Sequence, residues 1–276
     1  MASPLISVTD LETILGNDDV RLVDCRWYLT EPELGVAEYQ RGHVSGAVYA
    51  SLNADLSGAS GPGRHPLPAP DSFEATLEGL GITSSTTVVV YDDCSGAIAA
   101  RLWWMLTSQG HDLTSVLDGG IQAWIAAGHN LSTAQPSPPK GAFPCRPWSG
   151  TVDRDIVVNR NEDTILIDSR SLERYAGDEE PVDPKAGHIP GALSLPHAEN
   201  LTVNLKFLPP DTLHSRFSGA GATDAEDVIV HCGSGVTACH NILAMEVAGI
   251  RRPALYVGSW SDWSSRDLPV ATGKAP

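Results

Sequence analysis

The hydrophobic positions of this chain fall into two alternating kinds of run. Short apolar runs rich in β-branched residues, such as Val88–Val90, Ile165–Ile167 and Val228–Val230, are typical of buried strands. Longer stretches, such as Ala97–Gln109 and Thr237–Ala248, have helical character. This alternation predicts an α/β fold, with a mainly parallel sheet and helices on both faces. Ligands of such sheets bind beyond the carboxyl ends of the strands.

The same order of segments occurs twice along the chain. Each segment of the second half lies 139 to 145 positions after its partner in the first half. The pairs are Asp24-Cys25-Arg26 with Asp168-Ser169-Arg170, Gly42–Ala47 with Gly187–Ala192, Val88–Tyr91 with Val228–His231, and Asp118–Trp124 with Val257–Trp263. A near-constant offset over four segments predicts two homologous domains.

Domain boundaries follow from a change in composition between the two halves. Residues 131–150 hold five prolines and have no apolar period, which is typical of an extended linker on the surface. We therefore expect an N-terminal domain over 1–130 and a C-terminal domain over 151–276.

Composition and charge narrow the class of protein. The chain has 276 residues and a formal net charge of −16, which argues against nucleic acid or an anionic membrane as a partner. An anionic substrate would therefore need a locally positive pocket. The five cysteines have no CxxC spacing, so neither a disulfide framework nor a metal site is expected. The start of the sequence has no secretory pattern, and we expect a cytoplasmic protein.

Cys232 carries the strongest chemical signal. It directly follows the strand Val228–His231, and a Gly/Ser loop and a helical pattern follow it. That order places the sulfur near inward-facing backbone N–H groups and a helix N-terminus, both of which favour a thiolate nucleophile. The alternative interpretation is a small buried hydrophobic residue. The two glycines of the loop favour the nucleophile, because a loop that turns its amides inward needs residues that tolerate positive φ.

These motifs together resemble the tandem-domain rhodanese family, over nearly the whole chain from Val20 to Trp263. The resemblance implies two rhodanese-like domains and a thiosulfate or 3-mercaptopyruvate sulfurtransferase. Cys232 would carry the sulfur as a persulfide and pass it to a thiol such as thioredoxin or to cyanide, without a metal or organic cofactor. The N-terminal domain would be catalytically silent, because Asp92 aligns with Cys232.

The resemblance also suggests the donor. The loop after Cys232 is similar to the 3-mercaptopyruvate type, whereas thiosulfate enzymes usually carry basic residues there. The amides of Gly233, Gly235, Val236 and Thr237 would stabilise the persulfide anion. Ser234 is either a proton relay to the leaving group, as the family implies, or a loop-capping hydroxyl. A neutral loop offers dipoles and no formal positive charge, which suits 3-mercaptopyruvate; thiosulfate remains the alternative donor.

Three segments of the sequence offer candidate cations for the substrate carboxylate. Arg174 matches the family's carboxylate-binding arginine, with a surface salt bridge as the alternative. A second arginine is usual before the motif at Gly187, but residues 180–186 contain only Lys185. Arg64 and His65 match a loop whose histidine reaches the active site in relatives, although Asn53 stands where its aspartate partner is expected. His43 and His188 are expected to stabilise their turns.

Three further residues are assigned from the pattern. Trp260 and Trp263 are expected to be core or interface aromatics, with lining of the pocket as the alternative for Trp260. Cys239 is expected to be a buried structural thiol.

Two other classes of function are the alternatives. A cysteine phosphatase needs an arginine six residues after the nucleophile, and residue 238 is alanine. A non-catalytic sulfur carrier or regulatory module is disfavoured by an intact nucleophile together with Arg174.

Overall fold

The structure is a computed structural model that describes residues 3–223 and 227–276. The chain forms two compact units. The first comprises Met1–Gly58, Pro68–Ser149 and Asn204–Lys206, and the second comprises Ala59–Leu67, Gly150–Val203 and Phe207–Pro276. No helix among the described residues is long and apolar enough to cross a membrane.

The first unit is built on a five-stranded parallel sheet with the strand order β1-β5-β4-β2-β3. Its strands are β1 (Leu5–Ile6), β2 (Val20–Asp24), β3 (Val48–Tyr49), β4 (Thr87–Tyr91) and β5 (Thr114–Leu117). The flanking helices are α1 (Val8–Ile14), α2 (Leu34–Arg41), α3 (Pro70–Leu80), α4 (Ala99–Ser108) and α5 (Gly120–Ala126). Residues 131–149 carry two isolated bridges, His43 to Ser132 and Thr83 to Ala142.

The second unit repeats this sheet with the order β6-β10-β9-β7-β8, again parallel throughout. Its strands are β6 (Thr151–Val152), β7 (Ile165–Asp168), β8 (Ala192–Ser194), β9 (Val228–His231) and β10 (Ala254–Tyr256). The helices are α6 (Arg154–Val158), α7 (Leu172–Ala176), α8 (Pro210–Gly219), α9 (Ala238–Val247) and α10 (Ser259–Ser264), with a 3₁₀ helix at His197–Asn200. The α/β fold and its duplication are confirmed.

The central strand β9 and the helix α9 of the second unit are mostly apolar and are buried over nearly their whole length. Each residue of β9 is buried, as are the first eight residues of α9. Such continuous apolar runs are expected in a parallel sheet that helices cover. The predicted helices Ala97–Gln109 and Thr237–Ala248 correspond to α4 and α9, which are one or two residues shorter at each end.

The paired motifs of the sequence fold alike in the two units. Arg26 and Arg170 each pair with the buried aspartate two residues earlier, with Nη2–Oδ2 distances of 2.7 and 2.6 Å. Each arginine also donates to the carbonyl that precedes the paired histidine, at Gly42 and Gly187. His188 stacks on Tyr175 with ring centroids 3.8 Å apart, as His43 stacks on Tyr39 at 4.1 Å. The two histidines therefore stabilise their turns, as expected.

Candidate active site

Cys232 begins the loop that links β9 to α9, and only 1% of the residue is exposed. Its amide donates to Ser259 Oγ at 3.1 Å, and its carbonyl accepts from the Trp260 amide at 2.9 Å. The Ser259 hydroxyl in turn donates to the Tyr256 carbonyl at 2.9 Å. Both sides of the Cys232 backbone are thus held by the start of α10, which fixes the position of the sulfur.

The two glycines of the loop have different structural roles. Gly235 has a φ of +74°, and a β-carbon there would lie 2.5 Å from the Val257 carbonyl oxygen, so both conformation and space require glycine. Gly233 does not have a positive φ, so the expectation that both glycines supply this conformation is wrong. A β-carbon on Gly233 would instead meet two arginine side chains, as described below.

The loop amides form a cradle beside Cys232. Among the described residues, the amides of Ser234, Val236 and Ala238 have no hydrogen-bond acceptor. They lie between the end of a strand and the first turn of α9, where free N–H groups favour an anion. The amide cradle is defined here by these three residues. These amides can donate hydrogen bonds to a negatively charged sulfur bound to Cys232.

The first unit holds an anion in its equivalent loop. Asp92, which aligns with Cys232, accepts hydrogen bonds from four amides at 2.8 to 3.0 Å. The donors are the amides of Cys94, Gly96, Ile98 and Ala99. Three of these donors align with Ser234, Val236 and Ala238. The duplicated loop therefore binds a carboxylate in one unit and leaves the corresponding amides open beside a cysteine in the other.

The surroundings of Cys94 in the first unit disfavour its thiolate form. Desolvation of its sulfur by the surrounding loop, together with the carboxylates of Asp92 and Asp93, raises the pKa of this thiol. Its amide is already used by Asp92. The buried Cys239 donates to the Gly235 carbonyl at 3.5 Å, which fits the expected structural thiol.

His65 lies beside the catalytic loop. Its Nδ1 is 2.9 Å from Ser234 Oγ, and both residues are 7% exposed. The segment that carries it, residues 59–67, belongs to the second unit, although it comes from the first half of the sequence. The structure therefore brings His65 and Ser234 together, in a contact that can pass a proton between the hydroxyl and the imidazole.

Arg174 is held by two buried carboxylates. It lies on the short helix α7, which Ser171 caps, and its Nη2 is 2.7 Å from Glu180 Oε1 and 3.1 Å from Asp183 Oδ2. Burial alone would raise the pKa of Glu180. The hydrogen bond and charge of Arg174, with donation from the amides of Asp183 and Val182, outweigh burial and lower that pKa.

Arg64 contacts one of these two acids, Asp183, at the carboxylate oxygen that Arg174 does not use. Its Nη1 donates to Asp183 Oδ1, and its amide donates to Ser261 Oγ at 3.1 Å. Burial raises the pKa of Asp183, and the nearby charge of Glu180 adds to this, against the lowering effect of Arg64 and Arg174. The loop itself is neutral, and the positive charge next to it comes from two guanidinium groups that adjoin Gly233.

Two residues that the sequence suggested for the active site, Lys185 and Trp260, lie elsewhere. The Lys185 amine donates to the Arg266 carbonyl at 2.5 Å, so the structure does not bring it to the two arginines. Trp260 is completely buried in the core of the second unit, beneath the Arg170 guanidinium, and therefore does not line a pocket. Within the described ranges no group of histidine, cysteine and acidic residues could hold a metal ion.

Sequence reasoning missed Glu180 and Asp183. Both side chains are only 3% exposed, and together they contact Arg64, Arg170 and Arg174. The only signal in the sequence was that residues 180–186 contain two acidic residues where an arginine is expected. Ser259 and Ser261, which position the backbones of Cys232 and Arg64, were also missed.

Comparisons with known proteins agree with this geometry. A family model for the rhodanese-like domain matches residues 7–127 and again residues 155–266. The chain is 39% identical over 286 residues to a probable 3-mercaptopyruvate sulfurtransferase of Pseudomonas aeruginosa, covering 99% of both chains. It is also 39% identical over 279 residues to a putative thiosulfate sulfurtransferase, SseB, of Mycobacterium tuberculosis, covering 98% of both.

Solved structures give the same result. The 3-mercaptopyruvate sulfurtransferase of Leishmania major superposes with a TM-score of 0.83 at 32% identity, covering 95% of this chain and 74% of that one. SseA of Escherichia coli, described as a 3-mercaptopyruvate sulfotransferase, has a TM-score of 0.83 at 29% identity, covering 94% and 99%. This chain belongs to the rhodanese family, with one rhodanese-like domain in each half, and is an enzyme of the sulfurtransferase class.

Proposed function

We propose that this enzyme takes the thiol sulfur of 3-mercaptopyruvate and carries it as the outer, sulfane sulfur of a persulfide on Cys232. The single observation that supports Cys232 most strongly is the occupied loop of the first unit. There Asp92 keeps a carboxylate within hydrogen-bond distance of four amides. The aligned amide cradle beside Cys232 has three of these four donors for a sulfur anion.

The first half-reaction forms one S–S bond and breaks one C–S bond. The Cys232 thiolate attacks the sulfur of the donor, and the electron pair of the C–S bond moves to carbon, which leaves the enolate of pyruvate. The Ser234 hydroxyl, in contact with His65, supplies the proton that converts the enolate to pyruvate. The amide cradle stabilises the persulfide without reorganisation, because its donors are fixed by the backbone.

In the second half-reaction, an acceptor thiolate attacks the outer sulfur of the persulfide, and the electron pair of the S–S bond returns to Cys232. A thiol such as thioredoxin, or cyanide, would serve as the acceptor. Arg174 would bind the donor carboxylate, since guanidinium geometry suits a planar anion. Gly233, Gly235, Val236 and Thr237 would complete the wall of the donor site.

The first unit would carry no sulfur, because Asp92 fills its loop. We place the enzyme in the cytoplasm. Five cysteines without CxxC spacing suit a reducing compartment.

Thiosulfate is the second candidate donor, and one observation favours it. Two guanidinium groups adjoin Gly233, and such a pair also suits a dianion. The test is the ratio of kcat/KM for 3-mercaptopyruvate and thiosulfate, with one thiol acceptor at saturation. We expect 3-mercaptopyruvate to have the higher value. A higher value for thiosulfate would replace the proposed donor with the second candidate.

A further inference from the structure

The first residues of α10 hold the backbone of the catalytic loop. The Trp260 amide donates to the Cys232 carbonyl at 2.9 Å, and the Ser261 amide donates to the Gly233 carbonyl at the same distance. Two consecutive loop carbonyls are thus bound by two consecutive amides. Because Gly233 directly precedes Ser234, the Ser261 amide fixes the backbone next to the relay hydroxyl.

The side chain of Ser261 holds the segment that carries His65. Its Oγ accepts from the Arg64 amide at 3.1 Å and donates to the Gly258 carbonyl at 3.1 Å. The hydroxyl therefore has both a donor and an acceptor as partners, and the residue is only 8% exposed. Because Arg64 directly precedes His65, this hydroxyl fixes the backbone next to the imidazole.

Gly63 allows residues 59–67 to lie close to the start of α10. Its φ is +78°, and a β-carbon there would lie 2.4 Å from the Gly258 carbonyl oxygen and 2.8 Å from Ser261 Oγ. Both the conformation and the available space therefore require glycine. The segment is held on α10 by close packing as well as by a hydrogen bond.

The first unit forms the same fold without this hydroxyl. Gln122, which aligns with Ser261, is exposed, and its Nε2 donates to the Asp93 carbonyl at 2.8 Å. Because Asp93 aligns with Gly233, a side-chain contact there replaces the amide contact of the second unit. The fold alone therefore does not account for a buried serine at position 261.

We infer that Ser261 is a positioning residue for the proton relay between Ser234 and His65. Its amide holds the neighbour of Ser234 and its hydroxyl holds the neighbour of His65; these two contacts are named the Ser261 bridge. The bridge maintains the 2.9 Å distance between Ser234 Oγ and His65 Nδ1, which proton transfer requires. This inference rests on the proposed function for the role of the relay, and on the two contacts for the bridge.

Ser261→Ala removes the contact to the Arg64 amide and keeps the amide contact to the loop. At saturating donor, persulfide formation from 3-mercaptopyruvate should slow by about 10-fold, because a displaced proton donor reacts less often. The rate with thiosulfate should change less than about twofold, since its leaving sulfite takes no proton on carbon. Stopped-flow single turnovers measure both rates.

Ser264→Ala is the matched control. Ser264 lies on the same helix and is 1% exposed, and its Oγ has no hydrogen-bond partner among the residues that the structure describes. This variant should leave both rates unchanged. If Ser261→Ala slows both donors equally, or leaves the rate of an enzyme active with 3-mercaptopyruvate unchanged, the inference is overturned.

A double-mutant cycle separates positioning from a general structural role. If Ser261 acts through His65, Ser261→Ala should change the 3-mercaptopyruvate rate by less than about twofold in an enzyme that already carries His65→Ala. Losses that multiply in the double variant would show that Ser261 acts elsewhere, which contradicts the inference.

Gly63→Ala tests the bridge from the other side. It should slow the 3-mercaptopyruvate reaction about as much as Ser261→Ala does. Gly273→Ala is its control, because Gly273 has a φ of +89° and nothing lies within 4 Å of a β-carbon there. Equal rates for Gly63→Ala and Gly273→Ala would contradict the close packing on which the bridge depends.

A readout that needs no sulfur donor separates this inference from the proposed function. Diethyl pyrocarbonate acylates accessible imidazoles, and His65 is only 7% exposed. Peptide mass spectrometry should show that Ser261→Ala raises the modification rate of His65 several-fold, while that of the exposed His214 stays the same. If the His65 rate rises but the unmodified enzyme does not turn over 3-mercaptopyruvate, the proposed donor is wrong and the bridge stands. An unchanged His65 rate overturns the bridge, whichever donor the enzyme uses.

Discussion

Nδ1 of His65 lies 2.9 Å from Oγ of Ser234, two residues after Cys232. The contact joins a histidine from the first half of the sequence to a loop in the second half. Both side chains are buried, so a proton can pass between them without exchange with bulk water. Removing either member of the pair distinguishes the two interpretations of Ser234, a proton relay and a loop-capping hydroxyl.

Ser234→Ala should slow persulfide formation from 3-mercaptopyruvate by about 100-fold, the range for a positioned acid–base group. Transfer from thiosulfate should be much less affected, because its leaving sulfite needs no proton on carbon. Stopped-flow single turnovers with each donor would measure both rates. His65→Ala should give a similar loss, and the double variant should be little worse than either. Equal losses with both donors would favour a structural hydroxyl.

Arg174→Ala should raise KM for the donor by about 10- to 150-fold, since a charged hydrogen-bond contact is lost. This effect on binding should exceed the effect on folding, because Glu180 also pairs with Arg170 and Asp183 also pairs with Arg64. Steady-state kinetics and a thermal melt of the same sample measure the two effects. A change in KM below about threefold would show that Arg174 does not bind the donor carboxylate.

Gly235→Ala should destabilise the second unit more than Gly249→Ala does. Both glycines have a positive φ, +74° and +71°, so both variants bear the cost of a left-handed conformation, about 1–2 kcal/mol. Only Gly235 would place a β-carbon 2.5 Å from a carbonyl oxygen, whereas nothing lies within 4 Å of one on Gly249. Equal changes in Tm for the two variants would contradict this account of the loop.

Glu180 should contribute to the acid sensitivity of the fold. Arg174 and backbone amides lower the pKa of this buried acid below its ordinary value of 4.5, against the effect of burial. A depressed pKa stabilises the folded state above 4.5, and that stability is lost as pH falls through the folded-state pKa. The free energy of unfolding of Glu180→Gln, measured with urea, should therefore fall less as the pH drops below 4.5 than that of the unmodified enzyme. Glu162→Gln, at an exposed site, is the matched control. It should leave the pH dependence of the free energy of unfolding unchanged.

The sequence alone was sufficient to predict the α/β fold and the loop of amides after Cys232. Apolar runs of strand and helix length, written twice, predicted both sheets, because a parallel sheet under helices needs continuous apolar strands. The strand–Cys232–glycine order predicted a cradle of amides, because the motif is local. Both predictions depend on residues that are neighbours along the chain.

The cationic part of the site could not be predicted in the same way. Arg64 and Asp183 are 119 positions apart, and nothing in their local sequence indicates that they meet. The role of Gly233 was misassigned for the same reason, since its missing side chain matters only beside Arg64 and Arg174. Lys185 is the only cation in residues 180–186, where a second arginine is expected. Its amine instead donates to the Arg266 carbonyl, 81 positions later.

The central claim, that Cys232 alone carries the transferred sulfur, is tested most directly by peptide mass spectrometry after incubation with 3-mercaptopyruvate or thiosulfate. One sulfur atom should add about 32 Da to the peptide that contains Cys232, the thiol beside open amides. Cys232→Ser should abolish both the adduct and turnover, while Cys94→Ser and Cys239→Ala should keep most of each. An adduct mainly on Cys94, or turnover that survives in Cys232→Ser, would contradict the account.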